Sequence, residues 1–264
     1  MLGTVYTTHV WSEALFIIWL LVAGYIYIAK YKRAGFEVLY LTILSLSIGY
    51  AILLYFPAFA TATESVPFTH PHIQATMTLL AFLFPLIEKR STGFILLFIA
   101  LAISLLYLFV FQASVFSIAF GILIGGFISF VFYRNLDWLG SMPEPLVLVF
   151  AIILPVFLML LLAGMPYLIL LPGILLGAGI GYTIERYKLR LELTFDAKSA
   201  VIGFSLIAVL VVPLLYFLRP AIAHIPFMEL SIGIVIGFWM MFIVPFVLLL
   251  LNLATKQGNE HTIS

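Results

Sequence analysis

The residues from Ser91 to Tyr133 contain no Asp, Glu, Lys, Arg or His, and neither do those from Pro145 to Ile184. A helix that crosses a bilayer needs about 20 predominantly apolar residues. Each of these tracts is about twice that length, so each must double back inside an apolar solvent. Three further tracts, 38–63, 199–218 and 230–255, are equally free of ionisable groups, and shorter apolar runs cover 14–29 and 73–87. Composition agrees, with 65% of residues hydrophobic and 9% charged, against about 25% charged in soluble domains. A soluble enzyme, a nucleic-acid binder and a disordered chain are excluded. With no Cys, disulfide and thiolate chemistry are excluded as well.

The two double-length tracts break where helix-ending residue types occur. In 91–133 the break falls at Gln112-Ala113-Ser114, and in 145–184 at Gly164-Met165-Pro166. The expected spans are 12–30, 36–56, 72–87, 92–112, 114–133, 145–163, 167–184, 199–218 and 230–252. The expected fold is therefore an all-α polytopic membrane helical bundle of about nine transmembrane helices. It forms a single integral membrane domain over 1–264, with core helices in 36–135 and a helical extension in 145–252. Met1 to Trp11 carries no Lys or Arg, unlike a secretory signal peptide, and no cleavage is expected. Pro155, Pro213 and Pro245 fall inside spans and predict local kinks.

Nine spans alternate the connections between two sides. One side receives Lys30, Lys32, Arg33, Lys89, Arg90, Arg134, Arg186, Lys188, Arg190, Lys198 and Lys256; the other receives only Arg219. Basic residues accumulate on the cytoplasmic side of membrane proteins. The expectation is a multi-pass protein of the cell membrane with its N-terminus outside and its C-terminus cytoplasmic. His9, His70, His72 and His224, with Glu13, Glu64 and Glu229, then fall on the outer side, so any histidine chemistry belongs there. Tyr27, Tyr55, Tyr107, Tyr133 and Trp138 read as an interfacial aromatic belt.

The outer connection 57–71 runs into His70-Pro71-His72 at the start of a helix. Free backbone N–H groups and the dipole at such a terminus favour an anion. Thr69 is positioned to cap that helix, and His72 to act as a general acid. His-x-His with His9, His224 or a carboxylate is the only metal-ligand combination available, and it lacks recognised zinc spacing. No metal or cofactor is expected.

Phe68-Thr69-His70-Pro71-His72-Ile73-Gln74-Ala75 resembles the F-P-S-G-H-A-Q segment of the type 2 phosphatidic acid phosphatase family, membrane phosphatases of lipid phosphates. Ser104 to Val115 is similar to that family's S-R-L-Y-L-G-V-H-x-P-S-D. Gly177 to Arg186 resembles the G-x-x-x-G-x-x-x-E-R ending of members with extra C-terminal helices. The resemblance implies a phosphatidic acid phosphatase type 2-like core. It implies a headgroup site at His72, the match to the family's general-acid His. With His70 beside it these are the catalytic candidates, and Thr69, Gln74, Gln112, Ser114 and, by shared sidedness, Arg219 are the substrate-binding candidates. It also exposes departures. The family's nucleophilic His falls on Phe111, its orienting Asp on Val115 and its Arg on Leu105. Of its K-x6-R-P motif only Pro57 remains. Arg219-Pro220, on the same side as His72, His224 and Glu229, is the one cation available to replace the missing clamps. A phosphohistidine mechanism needs a nucleophile and cationic stabilisation. The implied function is a weakened or inactive lipid-phosphate phosphatase that binds an isoprenoid or phospholipid phosphate. The alternatives are an active phosphatase with a rearranged outer histidine site, and a non-enzymatic scaffold or transporter component. Membrane lipids are the expected partners, nucleic acid is not, and the oligomeric state is open.

Two further patterns carry packing and surface expectations. Gly121/Gly125, Gly173/Gly177/Gly181 and Gly233/Gly237 have the small-residue spacing that lets helix backbones approach, read here as packing within the chain. Glu185–Lys198 alternates basic and apolar residues and is expected to lie along an anionic membrane surface.

Overall fold

In the computed structural model the described residues are 2–29, 31–56, 58–60, 65–87, 89–135, 143–193, 197–222, 225 and 227–256, with side chains described from Trp11 onward except at 58–60, 65, 192–193, 197, 220 and 256. The chain is all-α. Its helices are α1 (Leu2–Ile28), α2 (Lys32–Tyr55), α3 (Pro71–Leu83), α4 (Arg90–Phe109), α5 (Val115–Arg134), α6 (Glu144–Leu161), α7 (Leu170–Ile184), α8 (Ala197–Pro213), α9 (Arg219–Ile222), α10 (Met228–Phe238) and α11 (Val244–Leu250). Two short antiparallel ladders join them: β1 (Ala58–Ala60) with β2 (Ser65–Pro67), and β3 (Leu191–Leu193) with β4 (Ala254–Lys256).

Among the described residues, eight helical segments are long and apolar enough to cross a membrane: Trp11–Ile28, Lys32–Tyr55, Arg90–Phe109, Val115–Arg134, Glu144–Leu161, Pro166–Leu189, Lys198–Leu218 and Met228–Leu250. These make the protein a multi-pass membrane protein. The ninth expected span is the shorter helix Pro71–Leu86. Its α-helical and 3-10 turns reach about 26 Å, short of the ~30 Å hydrocarbon core. Helix α1 begins ten residues before the span expected at 12, because length in a helix is not limited to its apolar part.

The chain divides into two compact units, Met1–Phe16 with Leu41–Ser141, and Ile17–Tyr40 with Met142–Ser264. In the first, α3 is buried on nearly every face, from Pro71 through Leu80 and at Phe82. A helix buried all round must have its polar side chains satisfied by neighbours. Thr78 Oγ1 accordingly donates within reach of Ser45 Oγ (2.7 Å) and Gly125 O (3.1 Å). Backbone approach makes this possible: a Cβ at Gly125 would stand 2.3 Å from Gln74 O. Ile73, Met77, Tyr107 and Ile118 form the apolar core beside it. The expected break at Gln112–Ser114 is a tight corner. Gln112 takes φ 53°, Ala113 N–H donates to Tyr107 O at 2.9 Å, and Ser114 Oγ caps α5 by accepting Phe116 N–H at 3.2 Å.

In the second unit α7 and α10 cross through their glycines. A Cβ on Gly177 would stand 2.2 Å from Ile234 O, and one on Gly237 would stand 2.2 Å from Ile174 O. The G-x-x-x-G pairs here are thus spent on packing within the chain. The expected Pro-linked irregularities at 213 and 245 take a definite form: π-helical turns at Leu214–Leu218 and Trp239–Ile243, directly after Pro213 and shortly before Pro245. Pro245 has no N–H for the carbonyl four residues back. That carbonyl, Met241 O, accepts instead from Tyr27 Oη at 3.0 Å.

A third π-type turn, Glu185–Leu189, ends α7 and delivers Glu185 into a buried polar knot. Lys32 Nζ donates to Glu185 Oε1 at 2.5 Å and also to Leu191 O. Leu191 N–H donates to Oε1 at 3.1 Å, and Tyr27 Oη donates to Oε2 at 3.4 Å. Arg190, at φ 49°, reverses the chain into β3. The aromatic-belt expectation is corrected at two positions: Tyr27 and Tyr107 are buried, Tyr27 in this polar knot and Tyr107 in the apolar core beside α3. Tyr55 and Tyr133 are exposed as expected; Trp138 lies outside the described residues.

Candidate functional site

Pro71 occupies the first turn of α3, where a missing N–H costs nothing and its fixed φ suits the helix. His70 is therefore the N-cap, in extended conformation and without a side-chain cap bond. This corrects the expected capping role of Thr69. Its Oγ1 instead donates to Gln74 Oε1 at 3.1 Å, while Gln74 Nε2 donates to Ser45 O at 2.9 Å. Thr69 and Gln74 are both buried. They brace the start of α3 against α2.

The preceding segment is tied to α5. His70 N–H donates to Ser117 O at 3.2 Å, and Ser117 Oγ donates to Pro67 O. Gly49 and Gly121 leave room for this: a Cβ on Gly49 would come within 3.0 Å of Pro71, and one on Gly121 within 3.2 Å of His70 O. The α3 N-terminus is thus clamped from α2 and α5 by backbone contact.

The two imidazoles sit in a continuous row of rings. Tyr50 meets His72 edge-on at 5.9 Å between centroids, His72 meets His70 at 6.0 Å, His70 meets Tyr107 at 4.4 Å, and Tyr107 meets Phe111 at 5.1 Å. One end of α2, the start of α3 and the α4–α5 corner converge on this row. Phe111, at the position where the resemblance calls for a nucleophile, is packed into it. His72 is 8% exposed. Burial holds His70 well below the ordinary imidazole range, at about 4, so it is neutral at pH 7. Its Nδ1 is buried with no hydrogen-bond partner among the described residues. An imidazole in this state offers a donor and an acceptor, not a cation. Tyr107 belongs to the site too, as do Tyr50, Ser45 and Ser117, three residues that nothing in the sequence marks as functional. Tyr107 was readable, since it stands three residues after Ser104 in the segment that carries the resemblance.

The remaining candidates serve other structural ends. Gln112 is exposed at the corner and Ser114 caps α5. Arg219 lies in the second unit, where its Nε reaches both oxygens of Glu229 at 2.9 and 3.1 Å and its Nη2 donates to Tyr167 O at 3.2 Å. Its charge is compensated there. The side chain of His9, and His224 and Glu64 altogether, lie outside the described residues. Among those described, no three His, Asp or Glu side chains stand together as a metal site would need. No protein-family model, curated protein or solved structure matches the chain.

Proposed function

We propose that this is an integral membrane protein that binds the phosphate-bearing headgroup of a membrane lipid, an isoprenoid or phospholipid phosphate, at the start of α3 without hydrolysing it. The carrying observation is the ring row Tyr50–His72–His70–Tyr107–Phe111. It sets two imidazoles at a helix N-terminus, whose N–H groups and dipole favour an anion. At Phe111 and Val115 it offers nothing that could form or orient a phosphoenzyme. With His70 neutral, the headgroup is held by hydrogen-bond donors rather than by countercharge, so transition-state charge goes unstabilised. Orientation follows from the basic residues: eleven of the twelve fall on one side if nine segments cross, which supports an outer-face site.

The test is made on purified full-length protein in nanodiscs. Phosphatidate and a polyprenyl diphosphate are offered, with binding and phosphate release measured together. Binding without release, weakened about tenfold or more by His72→Ala, is expected; one charge-assisted hydrogen bond of about 1.5–3 kcal/mol has that effect. Release abolished by His70→Ala or His72→Ala would instead establish a working phosphatase. Neither binding nor release would leave a scaffold or transporter component.

A further inference from the structure

Independently of the α3 site, the second unit carries a groove of about 610 Å³ along the membrane-spanning parts of α1 and α8. Ile18, Val22 and Tyr25 form one wall, and Val201, Phe204 and Ser205 the other. The helices are close antiparallel neighbours. A Cβ on Gly24 would meet Ile207, one on Gly203 would meet Ile28, and the Tyr25 ring stands edge-on to Phe204 at 6.3 Å. Ile18, Tyr25 and Val201 are nonetheless 51, 51 and 65% exposed. Surface of this kind, within spans, is solvated by hydrocarbon.

The groove has a charged end. Lys198 is exposed in the first turn of α8. Lys198, Val201 and Ser205 stand at i, i+3 and i+7, the spacing that puts side chains on one helix face. Lys198 thus shares the helix face of the lining residues Val201 and Ser205 and stands about one turn before them, and a lysine stem there can carry its ammonium to the polar boundary. Groove and cation together match an amphiphile with one apolar chain and a negative head. A zwitterionic head would bring its own cation to the same place.

We propose that the groove holds one acyl chain of an anionic phospholipid, with the lipid phosphate against Lys198. The test is native mass spectrometry of the full chain with phosphatidylglycerol and phosphatidylcholine of identical acyl chains in equal amounts. Retention of the anionic lipid about five-fold over the zwitterionic one is expected, the effect of one lysine at an anionic lipid surface. Lys198→Gln should bring the ratio near one, and Lys198→Arg should keep it. Val201→Trp, which fills the groove from an exposed position, should remove the retained lipid. Val209→Trp, at a site 72% exposed on the same helix but outside the groove, should not. Equal retention of the two lipids by the parent protein, or a ratio unmoved by Lys198→Gln, overturns the headgroup assignment. Unchanged retention in Val201→Trp overturns the groove.

Discussion

A buried imidazole that stays neutral has a thermodynamic signature. His70 titrates at about 4 in the folded protein because burial penalises its charged form, against about 6.5 in an unfolded chain. Between those values the unfolded state binds the extra proton, so stability rises with pH across this window. Its full contribution is present above about pH 6.5 and is lost as pH falls toward 4. The midpoint of thermal unfolding in detergent should therefore drop between pH 7 and pH 5, and His70→Gln should flatten that slope. An unchanged slope in the variant would assign the effect elsewhere. At the same scale, Thr69 and Gln74 show why residue roles outran the sequence. A polar side chain beside a helix start reads as a cap or a ligand group, and only the approach of Ser45 O shows that Gln74 faces inward.

Among the helices, the crossing of α7 and α10 depends on the absence of side chains at the point of contact. In a membrane no hydrophobic effect drives helices together, so close backbone packing has to do so. Gly177→Val would put a carbon 2.2 Å from Ile234 O. Overpacking costs typically 1–3 kcal/mol, and here the obstacle is backbone that cannot rotate away. Gly177→Val should lower the thermal midpoint well below that of Gly126→Ala, since a Cβ at Gly126 meets nothing within 4 Å. Equal midpoints would refute the packing account. Helix positions were legible because charge-free tracts and their Gly, Pro and Ser punctuation report the solvent directly. Which face of each helix turns inward was not. An exposed Phe94 and a buried Tyr107 stand on the same membrane-length helix, and hydropathy does not separate the outer face of such a helix from its inner one. The π-helical turns and the β3–β4 pairing left no signal either, because they answer to distant partners such as Tyr27 and Leu191.

At the level of the whole molecule, the short helix Pro71–Leu86 decides the topology. If it crosses, the segments holding Tyr31 and Lys89 share a side, and the segment holding Phe227 lies opposite. The chain has no Cys, so single-cysteine reporters work without a background. Tyr31→Cys and Lys89→Cys should react with an impermeant maleimide only after permeabilisation, and Phe227→Cys should react on intact cells. Tyr31 and Lys89 on opposite sides would show that α3 does not cross. The reverse labelling of all three would invert the orientation.

The pairing of Leu191–Leu193 with Ala254–Lys256 also sets an order of events during synthesis. Its second strand is made only after α8 and the last helices have been translated. Until Ala254–Lys256 has emerged, the edge of β3 lacks this partner, while Lys32 and Glu185 hold Leu191 in place. The second unit therefore cannot close before its last helix has been made. A stop codon just before Ala254 would remove the partner strand and leave an open β3 edge, and unpaired edges recruit other chains.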